Sequence, residues 1–534
     1  MTTLPGSPLT AAVMPDPVDG APGAPVDLLL SSTMLLNPRR DAEVPTLPAP
    51  AVASALPLPA SGAVLPAAAE NIALIIGASG IPLPRPFYVD RAMSYYVLPN
   101  TPPGITPIPQ ALFTPEGFYP LTPYPYIKVL PINVSVDQGS QILYDEILQQ
   151  VANQNTVTVF GYSQSAVISS LMMNPDYAGC VNTPTCGLDP ETPVNFVLVG
   201  NEMTPNGGIF ARLPGLNLPS LGIPFYGAAL EDSFPVANYM LEYDGFADFP
   251  QYPLNVLSTL NALLGMGLVH TRYTLITPEQ LALQVERPTT SVTQKYYAIP
   301  TEDLPLLAPI RLIPVIGNPI ADLLQPALRV IVNLGYGDPD QGWSLGYANV
   351  PTPIGVFPDV DWGETIQRFF DGVAQGVNDF MADITPGGSM WRELESHATG
   401  AAEALTAMAA GLTTPPTLNP GGIIPALQSA ITGITEFVSY AAASIYAVLL
   451  PTADFINAMV TTVPAYAFSL FLDGIEQTLN ADDFDEVVSG LINAVGLPLA
   501  ATVAMSMTFA MVEIGVIASA VTSVLDPSAH ISAI

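Results

Sequence analysis

The chain has 534 residues, and 46 acidic side chains against 13 basic ones give a net charge of −33. That balance excludes nucleic acid as a partner, because binding it needs clustered cations to displace counterions. Only 11% of residues are charged while 49% are hydrophobic, and mean hydropathy is +0.40, which places the chain at the membrane-like edge of the globular range, with a large core and more than one domain.

Residues 1–69 are rich in Pro and Ala and show no sustained period, which predicts an irregular arm with a short helix near 26–36. The first nineteen residues have neither a basic n-region nor a continuous apolar h-region, so no signal peptide is recognisable. At Asn71 the character changes. Residues 72–76 are a fully apolar strand stopped by Gly77-Ala78-Ser79-Gly80, the pattern of a parallel sheet covered on both faces. A second strand is expected at 126–130, after a Pro/aromatic stretch from 99 to 125, and a helix at 138–152. Strand 156–160 then runs into Gly161-Tyr162-Ser163-Gln164-Ser165, followed by a helix over 166–173, so a serine is held on a tight strand-to-helix turn. Further strands are expected at 195–200 and 237–243. The order describes an α/β fold, a central parallel sheet with helices on both faces. Between those last two strands, residues 204–235 are apolar and almost uncharged, which suits a lid or substrate wall and acyl or lipid-like substrates.

A serine nucleophile needs an imidazole positioned by a carboxylate. Of His270, His397 and His530, only His270 falls in the α/β portion, just past a helix at 255–266. Two carboxylates follow the strand at 237–243. Asp248 is preferred because the acid of such a site normally lies a few residues past the strand, and Asp244 is the alternative. The order Ser163, Asp248, His270 is that of an α/β-hydrolase. The N–H of Gln164 and the loop at Ser79 are expected to form the oxyanion hole. Cys180 and Cys186, with five residues between them in a Pro/Gly-punctuated loop, suit a local disulfide and hence an oxidising compartment. No metal-ligand cluster or nucleotide-binding loop is seen, so neither a metal nor a cofactor is expected.

Four stretches together, Leu74-Ile75-Ile76-Gly77-Ala78-Ser79-Gly80-Ile81-Pro82, Phe160-Gly161-Tyr162-Ser163-Gln164-Ser165-Ala166, Tyr243-Asp244-Gly245-Phe246-Ala247-Asp248-Phe249-Pro250 and Val269-His270, resemble the PE-PPE domain family of mycobacteria. So does 296–359, with Leu334-Gly335-Tyr336-Gly337-Asp338. The resemblance covers roughly residues 70–360. It implies a serine α/β-hydrolase related to cutinases and esterases, with a Ser, Asp and His triad acting on esters and lipids of the cell envelope. No helical PE or PPE domain is recognised ahead of residue 70.

From Gly363 the sequence turns to apolar helical periods, with helices expected at 364–383, 391–412, 423–449, 453–479 and 497–524. The last is long enough to span a bilayer but lacks flanking cations; a membrane or cell-envelope contact through 363–534 and soluble helix packing both remain open. The expected organisation is an arm at 1–69, a hydrolase domain at 70–362 and a helical region at 363–534. The expected function is a serine carboxylesterase acting through an acyl-enzyme, located in the cell envelope or secreted. An acyltransferase using the same triad, or an envelope interaction protein with the hydrolase fold as scaffold, is the alternative.

Overall fold

The computed structural model describes residues 70–121, 130–180, 182–230, 234–395 and 423–525. The expected arm, its short helix, all but the last residue of the strand at 126–130, and most of the helix at 391–412 lie outside these residues.

The strands are β1 (Asn71–Ile75), β2 (Ile108–Ala111), β3 (Thr156–Tyr162), β4 (Val194–Val199), β5 (Asn217–Leu218), β6 (Ile223–Pro224), β7 (Val236–Leu241), β8 (Val285–Arg287) and β9 (Gln294–Ile299). Seven form one sheet in the order β2-β1-β3-β4-β7-β9-β8, parallel except for β8, and β5 and β6 make a separate short hairpin. The central strands are buried on both faces, as their unbroken apolar runs require: Ala73, Leu74 and Ile75 have no exposure. β2 fell within the stretch read as a Pro/aromatic loop. It is a mostly exposed edge strand, Ile-Pro-Gln-Ala, and an edge is where Pro109 costs no ladder hydrogen bond.

Helices cover the sheet. Apart from a single turn at Ile209–Arg212, the first four α-helices are α1 (Pro86–Ala92), α2 (Ile132–Ala152), α3 (Gln164–Met172) and α4 (Val256–Leu268). α2 begins six residues before the expected start, directly after Pro131, whose extended backbone cannot belong to the helix. After α3, Cys180 and Cys186 are joined by a disulfide, with Cα atoms 5.8 Å apart. α5 (Gly317–Asn333) and α6 (Trp362–Ile384) pack closely because Gly372 and Gly376 face the α5 backbone; a Cβ on Gly376 would lie 2.0 Å from Leu323 O.

Three long apolar helices follow: α7 (Ile423–Val460), α8 (Thr462–Leu479) and α9 (Phe484–Leu525). Two spans here, Ala442–Leu479 and Phe484–Ala518, are long and apolar enough to cross a membrane by length and composition, and many of their large side chains are exposed. They also share a core with the part of the chain built around the sheet. Phe455, Ala458, Ala500, Ala504 and Phe509 belong to the same buried cluster as Leu213, Leu216, Leu218, Leu221 and Phe225. The stretch at 204–235 is thus no free flap; where described, it is wedged into the core. It is tied to α2 through Gly222 O, which accepts from Asn133 N at 3.1 Å, and to the last helices through Ser220 Oγ, which donates to Asp454 O at 3.2 Å, and Tyr466 OH, which donates to Pro214 O.

Phe455 stacks on Phe509 with ring centroids 5.0 Å apart. Phe455→Ala is expected to cost about 3 kcal/mol, seen in denaturant titration, and to speed amide exchange in α9 and in residues 213–225 together.

Candidate active site

β1, β3, β4 and β7 all deliver their carboxyl ends to one edge of the sheet, where a doubly covered parallel sheet places ligand groups. At the end of β3 the chain turns sharply into α3, and Ser163 sits at the turn with φ 58° and ψ −123°, a conformation an L-residue adopts only when its surroundings impose it. Two neighbours permit it. A Cβ on Gly161 would lie 2.7 Å from Ser165 O, so no larger residue fits there. Ser165 closes the turn with its hydroxyl, accepting from Tyr162 N at 2.8 Å and donating to Tyr162 O at 3.1 Å.

His270 opens a short 3-10 turn after α4 and reaches Ser163: Nε2 is 2.8 Å from Oγ. α4 can lie this close to the β7 turn because Gly245 in the turn faces α4 and Gly265 on α4 faces the turn; a Cβ on Gly265 would sit 1.9 Å from Tyr243 O. The carboxylate that meets the other ring nitrogen is Asp244, whose Oδ1 and Oδ2 are 2.9 and 2.8 Å from His270 Nδ1. Asp244 is fully buried and held by Tyr273 OH at 2.7 Å and Phe246 N at 3.0 Å. Burial disfavours a charged imidazole, but Asp244 outweighs it and holds His270 above its ordinary value of 6.5.

Asp248, the carboxylate preferred from sequence, does not meet His270. β7 ends at Leu241, two residues before the expected strand end, so Asp244 already lies past the strand; Tyr243, at φ 68°, turns the chain toward the histidine. Asp248 instead braces that turn, accepting from Tyr243 N at 3.0 Å. Burial pushes its carboxyl up, opposed by the Tyr243 N–H and by the buried guanidiniums of Arg287 and Arg212.

Gln164 and Ser79 meet as side chains: Gln164 Nε2 donates to Ser79 Oγ at 3.0 Å and to Gly117 O at 2.8 Å, while its Oε1 accepts from Ser135 Oγ at 2.6 Å. The Gln164 amide opens α3, so it has no intrahelical acceptor. Gly80 N donates to Glu116 O at 2.7 Å, fixing the 77–80 loop beside the elbow. Phe246 packs edge-on to His270, with centroids 4.7 Å apart, and Phe118 lies against Phe246, so the site has an aromatic wall. His397 and His530 lie outside the described residues.

Two acids were missed from sequence. Glu202 Oε1 is 3.0 Å from Ser163 Oγ, and burial raises its carboxyl to about 7. Glu116, raised by burial to about 8, accepts from Thr114 Oγ1 at 2.6 Å. The available signal for Glu202 was an acid directly after an apolar strand, in Val199-Gly200-Asn201-Glu202. Removing the Ser165 hydroxyl strands the Tyr162 N–H, so Ser165→Ala is expected to cost about 1–3 kcal/mol by chemical denaturation.

Residues 105–337 match the family described as the PE-PPE domain. Over 455 residues the chain is 44% identical to the uncharacterized PPE family protein PPE28 of Mycobacterium tuberculosis, covering 84% of this chain and 66% of that protein. It is 41% identical to Esterase PE16 of the same organism over 290 residues, 54% of this chain and 51% of the relative. A more distant similarity, 26% over 302 residues, links it to the diacyltrehalose acyltransferase Chp2 of M. tuberculosis, covering 54% of this chain and 80% of that enzyme. The chain thus spans about two thirds of PPE28 and half of PE16.

Proposed function

The chain belongs, through residues 105–337, to the PE-PPE domain family, and on that footing we propose that it is a serine ester hydrolase acting on acyl or lipid-like esters, with Ser163, His270 and Asp244 as its triad. The observation that carries this reading is the unbroken line from Ser163 Oγ through the His270 ring to Asp244, with contacts of 2.8 Å on either side of the imidazole. The esterase and acyltransferase names of the relatives support lipid-directed acyl chemistry.

In this mechanism Ser163 Oγ attacks the ester carbonyl while His270 Nε2 takes its proton, and Asp244 keeps the imidazole in the tautomer that can do so. The amides of Gln164 and Ser79 receive the oxyanion. His270 then protonates the leaving alcohol, and water, activated by the same imidazole, cleaves the acyl-enzyme. An acceptor alcohol in place of water makes the enzyme a transferase, a second reading favoured by the acyltransferase-named relatives. The aromatic wall of Phe246 and Phe118 favours an apolar acyl chain. The helical region at 363–534, whose described helices expose large apolar side chains, is assigned to contact with a lipid surface, and the hydrolase unit to 70–362.

Labelling with a fluorophosphonate probe is expected in the wild type and absent in Ser163→Ala; persistent labelling of that variant would sink the nucleophile assignment. Asp244→Asn is expected to lower kcat by about 10³–10⁴-fold, whereas Asp248→Asn keeps kcat within about threefold and lowers the thermal midpoint, since it alters the buried carboxyl that accepts from Tyr243 N beside two buried guanidiniums. Steady-state kinetics with a nitrophenyl acyl ester separates the two, and a larger kcat loss at Asp248 reverses the assignment of the acid.

A further inference from the structure

Glu202 lies outside the triad, yet it touches the nucleophile. It follows β4 by three residues, is 3% exposed, and places Oε1 3.0 Å from Ser163 Oγ, whose other neighbour is His270 Nε2 at 2.8 Å. Oε1 and Nε2 are therefore held within about 6 Å, inside the range over which one charge governs another's protonation. The second oxygen, Oε2, is buried and has no hydrogen-bond partner among the described residues. Such an atom costs free energy and calls for a role beyond packing.

The titratable groups around Glu202 are His270 and Asp244 from the turns after α4 and β7, Glu116 from the loop after β2, and Tyr162 on β3. Burial raises the Glu202 carboxyl, His270 lowers it and Asp244 raises it; burial lowers His270, while Asp244 and then Glu202 raise it.

We propose that Glu202 is a fourth catalytic residue of the ester-cleaving site, an ionised carboxylate that stabilises the imidazolium formed when His270 takes the Ser163 proton. This rests on Ser163 being the nucleophile. As Ser163 Oγ bonds to the acyl carbon, the carbonyl π pair moves onto its oxygen and the hydroxyl proton passes to His270 Nε2. Collapse of the intermediate breaks the acyl C–O bond, and the imidazolium gives that proton to the leaving alcohol oxygen. Glu202 neither gains nor loses a proton; it supplies negative charge on the Nε2 side of a ring that Asp244 flanks at Nδ1. The working form has neutral His270 and ionised Glu202, so two protons must leave before acylation begins.

The pH dependence of kcat/KM for a neutral nitrophenyl acyl ester, measured on the full chain, tests this. Wild-type log kcat/KM is expected to fall below about pH 6 with a slope approaching about two, and that of Glu202→Gln with a slope of about one. The Glu202→Gln plateau is expected to drop roughly tenfold, Glu202→Asp to restore the steeper limb, and the His270 imidazole pKa, followed by NMR among only three histidines, to fall in Glu202→Gln. Unchanged slope, plateau and imidazole pKa in Glu202→Gln would overturn the proposal, as would a rate gain above about pH 7, which makes the carboxylate inhibitory. Fluorophosphonate labelling judges the nucleophile separately. Ser163-dependent label in the wild type and Glu202→Gln, together with unchanged profiles, removes Glu202 alone; label persisting in Ser163→Ala removes the underlying reading.

Discussion

The backbone of Ser163, at φ 58° and ψ −123° between β3 and α3, decides where the hydroxyl points. A turn of this kind survives only where strand and helix can come within contact of one another. Gly161 provides the space and Ser165 supplies the closing hydrogen bonds, so a hydroxyl does at the last position of the pentapeptide what a smaller residue does by leaving room. The rigid body behind the turn is the parallel sheet: β3 is paired on both sides and buried, and its register with β1 and β4 places the 77–80 loop and the 200–202 turn beside Ser163. The 77–80 loop, Ser163 and Glu202 thus share one framework.

Around that framework the protein keeps an unusual amount of ionisable chemistry out of water. Asp244, Glu116, Glu202 and His270 are all buried within one shell, while Asp248, Arg212 and Arg287 form a second buried group behind the β7 turn. Desolvation acts on each, and the partners differ. Asp244 has an imidazole, a phenol and a backbone amide to hold it, and it in turn sustains the charge of His270. Glu116 and Glu202 each keep one oxygen without a partner among the described residues, and burial pushes both toward neutrality. Glu116 and Glu202 are thus the carboxyls that burial raises toward neutral pH, whereas Asp248 braces the backbone of the β7 turn.

The long C-terminal helices are joined to this arrangement through apolar packing rather than through the sheet. Phe455 and Phe509 stack against each other within the cluster that also buries Leu213 to Phe225, so the stretch that walls the sheet's core is itself part of the helix interface. An all-round apolar helix can satisfy one side by such packing and still leave the other exposed, as Ile445, Leu449, Leu499 and Ile514 are.

What could be read from sequence alone was whatever is written in contiguous residues. The apolar runs of β1, β3, β4 and β7, the small-residue loop at 77–80, the elbow at 161–165 and a histidine just past a helix each carry their own local signal, and the structure brings Ser163, His270 and the Ser79 loop together accordingly. What tertiary structure alone decided were the choices among residues with equal local claims. Asp244 and Asp248 both follow β7 at acceptable spacing; the strand's earlier end and the positive φ of Tyr243 aim one at the imidazole and the other at the backbone. Glu202 has no motif, since its significance lies in a 3.0 Å contact made across 39 residues of chain. The edge strand β2 and the wedging of residues 204–225 against helices more than 200 positions away were equally hidden, because burial by distant neighbours leaves no period in the chain that is buried.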